Sequence, residues 1–570
     1  MAVFFNGQLL ETPTTASAVN DDAMQNQNLT VGNAVAYVGK ATGGKPKTAL
    51  AFGSPDQAKR VLRSGELLDA VLKAFDPSDD TGAPSTVYAV RVNPAVQSTL
   101  ALKDAADADV INLASANYGQ ADNLIKVKVE TGSISGKTVS VSYGNDYLHG
   151  DNIGRAAFSV HYTGSETTAV MAVAADKLTL TAGTGPAVEI AFADFGTVGA
   201  VVDKINSLGG YVAQVLDRSD NMATLNGLDF VTSQDVKTAT YTARADLQAI
   251  VDWFNAVAFE YVTATRVAAV GKVPANIPYT FLTGGAEGNT VTSDWSDALV
   301  ALQNKDVQWL GATTGDAAIH AMVDTHVDFC SGTLRRERRA ILGTAAGTTD
   351  AQAVAAGKAL NSKRTSLVHI GYYDYDQNGK LVLFAPYMTA ALIAAGFAGS
   401  NPGTPMTNKT LKVRGLERDV LNPTDTDPLL RGGVLPVENT DAGYKVVQSI
   451  STWLGDRKYN NREQSCGAAL DFTVRNVREA LDALRGTKSN PLLMSRGASI
   501  TKTALTLLAK EEPQGPGVLA GDAASPAFRN IATSIEGDVL RVQFECSPVI
   551  PNNYILVTVY ARPYSGATTA

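Results

Sequence analysis

SDWSDALVALQNKDVQWL, residues 293–310, decides how the middle of this chain folds. It reads as a helix, Ser293–Gln303, leading directly into a short apolar strand, Val307–Leu310. The alternation repeats downstream: helix Ala317–Gly332 and strand Arg339–Gly343, then helix Asp350–Asn361 and strand Ser366–Gly371. The pair Asn378-Gly379 marks a hairpin turn into Leu381–Phe384, and helix Pro386–Gly396 opens with proline in the first turn, where its missing N–H costs nothing. Helix–strand repetition of this kind predicts a mostly parallel, doubly wound α/β sheet.

Upstream, Ala34–Gly39 (AVAYVG) is a continuous apolar run of the kind found in buried strands. A helix follows over Glu66–Phe75, with Leu67, Leu68, Val71, Leu72 and Phe75 at helical spacing, and then a strand, Val87–Val92. From about 116 the pattern changes to period two. Ile125, Val127 and Val129 alternate with Lys126, Lys128 and Glu130, and Val139, Val141 and Tyr143 repeat the pattern. Glycines at 132, 136, 144, 150, 164, 183 and 185 punctuate it. A helix near Val198–Leu208 and a strand near Tyr211–Leu216 follow. The sequence thus predicts an α/β layer, residues 31–115 and 279–435, interrupted by an inserted β-rich domain, 116–278.

Downstream, 400–435 is rich in Pro, Gly, Thr and Asp and reads as loops. An α+β C-terminal domain, 436–550, is expected to hold strand Tyr444–Ile450, helices Phe472–Leu484 and Ile500–Leu508, and strand Val539–Cys546. The chain then runs through 551–570, which contains NYILVTVYAR at 553–562. Tyr554, Leu556, Thr558 and Tyr560 alternate with Ile555, Val557, Val559 and Ala561, a strand signature with two largely apolar faces. Its candidate partners are Val539–Cys546 and the apolar run Val3, Phe4, Phe5 of another copy. Residues 11–30 are polar and read as an arm within the N-terminal segment 1–30. About 20 residues reach roughly 65 Å when extended, enough to carry Val3–Phe5 away from the parent subunit.

Composition narrows the function. The chain has 570 residues, a 45% hydrophobic share and a net charge of −8. That charge gives no electrostatic case for direct nucleic-acid binding. No apolar run reaches the length of a membrane span, and no basic-then-apolar leader opens the chain. Three widely spaced cysteines, Cys330, Cys466 and Cys546, fit reduced thiols in a cytoplasmic compartment.

Catalytic patterns are sparse. Gly39–Lys45 (GKATGGK) has phosphate-loop spacing up to its lysine, but Pro46 stands where a magnesium-binding hydroxyl should be. A glycine turn after a strand is the favoured reading, and a cytoplasmic α/β nucleotide-binding protein or enzyme is the alternative function. Gly284–Gly288 reads the same way against a phosphate nest. His320 and His326 lie six apart on one helix, on opposite sides. There is no paired-cysteine or HExxH zinc spacing and no G-x-S-x-G turn, so neither cofactor, metal nor catalytic residue is expected. Arg335-Arg336-Glu337-Arg338-Arg339 is the densest basic cluster, without the aromatics of a nucleic-acid site. It reads as a helix-end cluster or as intersubunit ion pairing. Arg462, Glu463, Arg475 and Arg478 are candidates for intersubunit or partner-facing charges.

Several phrases, in order, resemble one family. They are Asn117-Tyr118-Gly119 with Asn123–Val127, then Leu282–Gly288 (LTGGAEG) followed by Asp294-Trp295 and Ala298-Leu299. Thr404–Met406 with Thr407, Gly432-Gly433-Val434 and Val474-Arg475 complete the series. The family is the contractile tail sheath of bacteriophages and related injection machines, and the likeness spans about 30 to 560. The resemblance implies a non-enzymatic homo-oligomer of stacked rings in a helical array around an inner tail tube protein, meeting baseplate and tail terminator proteins. It implies an outermost β-rich insertion, an innermost C-terminal domain, and terminal strands (Val3, Phe4, Phe5 and Tyr554–Tyr560) exchanged between subunits. Such a sheath belongs to the virion and is assembled in the host cytoplasm. Its contraction drives the tube through the bacterial envelope without consuming nucleotide.

Overall fold

The computed structural model describes residues 3–5, 8–10, 34–267, 271–564 and 566. The chain divides into two units: Met1–Ala36, Lys73–Val87 and Gln303–Ala570 form one, and Tyr37–Leu72 with Tyr88–Leu302 the other.

In the first unit, strands Trp309–Ala312, Arg339–Gly343 and Thr365–Val368 lie side by side and parallel, with Leu310 opposite Ala340 and Ala340 opposite Thr365. All three are buried throughout. That is why none of them shows a polar-out alternation. Helices Ala317–Gly332 and Asp350–Leu360 make the crossovers. Asp316 caps the first, and a reciprocal Thr349/Gln352 capping box starts the second. Helix Pro386–Ala398 is buried at nearly every position. Its small residues, with Gly343, permit contact with the sheet so close that a Cβ at Gly343 would meet the Pro386 carbonyl oxygen at 2.3 Å. Phe397 stacks on Trp309 at 4.2 Å. The Asn378-Gly379 hairpin is present, joining Tyr372–Tyr375 to Leu381–Phe384, with Gly379 at φ +75°.

The end of this unit departs from expectation. The two C-terminal helices are longer than the sequence pattern predicts, Gln464–Asp482 and Pro491–Leu508. The second starts on an Asn490 cap that accepts from the Leu493 amide at 2.9 Å, with Pro491 in the first turn. Val539–Cys546 pairs with Phe528–Glu536, a strand absent from the sequence reading. The missing signal has a physical cause: Asn530 sits at φ +54° beside a register shift, so the period-two pattern is broken. One face of this hairpin packs through Phe528, Ile531, Phe544 and Cys546 against Ala469, Phe472, Leu505 and Leu508 of the two helices.

The second unit is rich in antiparallel strands and has separate cores. One four-stranded sheet runs Asp146–Ile153, Lys137–Tyr143, Lys126–Thr131, Ile277–Phe281. The sheet Val262–Arg266, Asp109–Ser115, Thr99–Lys103 and helix Asp246–Val257 share its core. Another core gathers Phe158, Val160, Met171, Leu178, Leu180 and Val201. The helix Asp246–Val257 and the strands at 99–115 went unread in the sequence, although Leu247, Ile250, Val251 and Phe254 carry a helical stripe.

Among the described residues no helix is long and apolar enough to cross a membrane.

Candidate functional site

Three stretches singled out in the sequence, Gly39–Lys45, Asn117–Val127 and Leu282–Gly288, converge in the second unit around one arginine. Arg91, on strand Thr86–Arg91, is fully buried. Its Nη1 donates to the carbonyls of Tyr118 at 2.9 Å and Gly44 at 3.3 Å, and Glu287 lies 3.8 Å from Nη2. Asn117 projects into the Gly39–Lys45 loop. Its Oδ1 accepts from the Gly44 amide and its Nδ2 donates to the Val61 carbonyl. Ala41 donates its amide to Asn93 at 3.1 Å. The amides that would cradle a phosphate are thus turned to internal side chains, and a Cβ at Gly43 would meet the Val61 carbonyl oxygen at 2.4 Å. Lys45 is exposed, and Pro46 bridges to Arg91.

The second glycine phrase is tied in by the same means. The Gly285 amide donates to Asn123 Oδ1 at 2.9 Å, and Asn123 Nδ2 returns a bond to the Gly285 carbonyl at 2.8 Å. A Cβ on Gly285 would lie 2.1 Å from Ser98 Oγ, so only glycine fits. Asp122, 1% exposed, faces Arg63 at 3.5 Å, and burial pushes its carboxyl above the usual range. These phrases form a junction that fastens loop to loop.

In the first unit the basic cluster also turns inward. Arg338 Nη1 and His326 Nε2 are 3.0 Å apart, and burial, with Arg338 beside it, pulls the His326 imidazole down to about 4. Arg339 and Arg364 converge on Asp471 of helix Gln464–Asp482, at 2.9 Å and 2.7 Å. Arg478 holds Glu337 with both terminal nitrogens at 2.7 Å, and Arg475 pairs with Asp306. Asp471, the acid at the centre of this network, carried no sequence signal; it becomes visible only when helix and sheet meet. Arg462 donates to the Leu430 carbonyl at 3.2 Å, and Glu463 is 2% exposed. All four of the charges proposed from sequence are therefore engaged within the chain.

A cleft lined by Trp309, Arg338, Phe397, Asp471, Phe472 and Arg475 lies at the N-terminal ends of the parallel strands. Ligand crevices of open α/β sheets form at the opposite, C-terminal ends.

The terminal segments are the other candidate. Val3–Phe5 pairs with Gln8–Leu10 in a short antiparallel hairpin, Phe4 opposite Leu9. The arm expected over 11–30 lies outside the described residues. At the other end, Ala520 donates to Ser547, Ser547 to Ala527 and Val549 to Val518, each within 3.0 Å, so the chain is fastened as far as 549. Asn553 then donates to Glu463 at 2.8 Å. Beyond it there is no strand among the described residues. Of the two candidate partners, Val539–Cys546 pairs with Phe528–Glu536 and not with the tail. Tyr554 is 77% exposed, Leu556 93% and Tyr560 86%, and Ile555, Val557 and Val559 are exposed as well. A strand pattern without a ladder partner cannot satisfy its backbone as a strand.

The molecule so described is a mixed α/β, strand-rich multidomain protein whose glycine motifs and charges are consumed internally and whose C-terminal tail is bare. Residues 288–452 match the family described as phage tail sheath protein central domain. The chain is 27% identical to the tail sheath protein of Bacillus phage SP01, covering 100% of this chain and 98% of that protein. It is 28% identical to a putative tail sheath protein of Enterococcus phage phiEF24C, covering 97% of each. In fold it is similar to a sheath tail protein from Listeria innocua, with a TM-score of 0.55 at 14% identity over 91% of this chain and 92% of that one. It is also similar to one from Desulfitobacterium hafniense, with a TM-score of 0.52 at 11% identity over 94% and 100%. Both the matched central-domain family and the relatives similar along the chain are tail sheath proteins, the family its sequence phrases resemble.

Proposed function

We propose that this protein is the subunit of a contractile tail sheath. It polymerises as stacked rings around an inner tail tube, linked through exchanged terminal strands, and contracts to drive the tube through the bacterial envelope. The observation that carries the reading is similarity from end to end with tail sheath proteins of two phages. The bare apolar tail supports the linkage: added to a sheet edge of a neighbour, Tyr554–Tyr560 would gain both ladder bonds and cover for its side chains. Head-to-tail contacts that do not close generate helical arrays.

Within this reading the α/β layer is doubly wound, 116–278 is the outer domain, 436–550 the inner one, and 1–30 and 551–570 are the arms. Baseplate and tail terminator proteins would bound the array, which is assembled in the host cytoplasm and carried in the virion. Arg462, Glu463, Arg475 and Arg478 would act on neighbours or tube through the helix that their internal pairs hold in place. The role is structural rather than enzymatic. Electron microscopy of the purified protein tests it: tubes or stacked rings are expected, and a monomer at high concentration in sedimentation, with no assemblies in the micrographs, would overturn it.

A further inference from the structure

The root of the C-terminal arm is fixed by one carboxyl–amide contact in which two buried oxygens have no hydrogen-bond partner. Glu463 is 2% exposed. Its Oε1 accepts from Gln448 Nε2 and, at 2.8 Å, from Asn553 Nδ2. The other two oxygens of the pair, Glu463 Oε2 and Asn553 Oδ1, are buried and have no hydrogen-bond partner. A carboxylate and an amide carbonyl are both acceptors, so an ionised Glu463 leaves two buried acceptors of one hydrogen-bonded pair without a donor, at a cost. One proton on Oε2 removes both defects, since a carboxylic acid and a primary amide close a ring of two complementary hydrogen bonds.

We infer that Glu463 carries that proton and, as a neutral acid, clasps Asn553 in a two-bond ring that positions the first residue of the arm. Burial pushes the Glu463 carboxyl above its usual range, against the bonds from Gln448 and Asn553 and the charge of Arg462, which favour the anion. The ionisable groups facing it are few. Arg462 precedes it in the chain, with its guanidinium on the Leu430 carbonyl. The Cys466 thiol, itself pushed up to about 11 by burial, follows on the helix. Gln448 and Asn553, from the other two segments, are neutral. Because the folded-state value is raised, the clasp is complete below the unfolded glutamate value of about 4.3 and is lost as pH rises through the folded value. The inference rests on reading residues 554–564 as an intersubunit arm, since it assigns Glu463 and Asn553 as positioning residues for that arm.

The test uses full-length subunits before assembly and the initial rate of chymotryptic cleavage after Tyr554, which requires the clasp to open. Asn553→Ala and Glu463→Ala should each raise that rate by about fivefold or more, as expected for losing two neutral hydrogen bonds. Glu463→Gln, whose amide donates where the acid proton did, should stay at or below the wild-type rate. Taking wild-type and Glu463→Gln rates as ratios to Asn553→Ala at each pH cancels the protease's own pH dependence. Wild-type protection should fall with rising pH while that of Glu463→Gln stays level. Glu463→Gln cleaved as fast as Glu463→Ala, or wild-type protection that grows with pH, would overturn the clasp. Micrographs of the same variants keep the two readings apart: tubes formed by a protein whose clasp fails the protease test sink the clasp alone, whereas a full-length wild type that never assembles sinks the sheath reading.

Discussion

Around Arg91, glycine turns that resemble phosphate loops are filled by Asn117 and Asn123, and the buried guanidinium is bonded to carbonyls of the same unit. From Tyr554 to Tyr564 the reverse holds: large apolar side chains lie in solvent with no partner among the described residues. In sequence both regions advertise chemistry, one by motif and the other by hydropathy. The structure separates them by satisfaction of polar and apolar groups. Around Arg91 the glycine-loop amides of Gly44 and Gly285 and the guanidinium Nη1 are bonded within the chain, while Nε and Nη2 make no hydrogen bond among the described residues and Nη2 has Glu287 at 3.8 Å, and the motif there serves architecture. Where apolar groups are left bare, the chain is incomplete alone, and burial of the exposed tail by a neighbour would add apolar stabilisation at about 25 cal/mol per Å².

The contrast breaks most readily at the tail. Ending the chain at Asn553 should abolish tubes and rings in micrographs while leaving the far-UV circular dichroism and melting temperature of the subunit within error of the full-length monomer, because no described residue beyond 553 buries its side chain in the chain's own core. A truncated chain that still forms tubes would show that the tail links nothing. The opposite behaviour is expected inside the first unit. Asp471→Ala strips the shared carboxylate from Arg339 and Arg364, of which Arg339 is 5% exposed. Leaving a buried cation unpaired costs about 3–5 kcal/mol, readable as a lower urea midpoint in the truncated, unassembled background. Asn117→Ala orphans the Gly44 amide and the Val61 carbonyl together and should cost about 2–3 kcal/mol by the same measurement.

How much of this was legible follows the same division. The parallel strands were readable because helices and short strands repeat in turn, and Arg339–Gly343 and Ala317–Gly332 fall where the pattern puts them. The Asn378-Gly379 turn was readable because only a residue free to adopt positive φ fits it. Phe528–Glu536 was not, since its bulge at Asn530 disrupts the alternation that defines a strand in sequence. At the candidate sites, types of residue were legible and their partners were not. Arg475, Arg478 and Glu463 look like surface charges until Asp306, Glu337 and Gln448 arrive from distant parts of the chain. Exposure of Tyr554–Tyr560, likewise, follows from there being no strand beside it among the described residues, which no local pattern encodes.

A weaker effect tests the buried network through pH. His326, 7% exposed, titrates at about 4 against an ordinary value of 6.5. The unfolded chain therefore binds the proton first, so the stability this group contributes is complete above about 6.5 and is lost as pH falls toward about 4. His326→Gln should flatten the fall in urea midpoint across that window relative to wild type, whereas an unchanged slope would assign the acid sensitivity elsewhere.

The smallest expected effect is the most discriminating for the glycine loop. Lys45 is exposed and its loop amides are occupied from within by Asn117 and Asn93. Lys45→Ala removes a solvated ammonium from a turn whose hydrogen bonds it does not make, so stability should move by no more than about 0.5 kcal/mol. Titration of nucleotide with magnesium should give no heat with either protein. To admit a phosphate the loop would have to expel Asn117, leaving the Val61 carbonyl and the Tyr118 amide without their present partner. A magnesium-dependent signal lost in Lys45→Ala would mean that this exchange takes place, and would move Gly39–Lys45 from the satisfied class to the unsatisfied one.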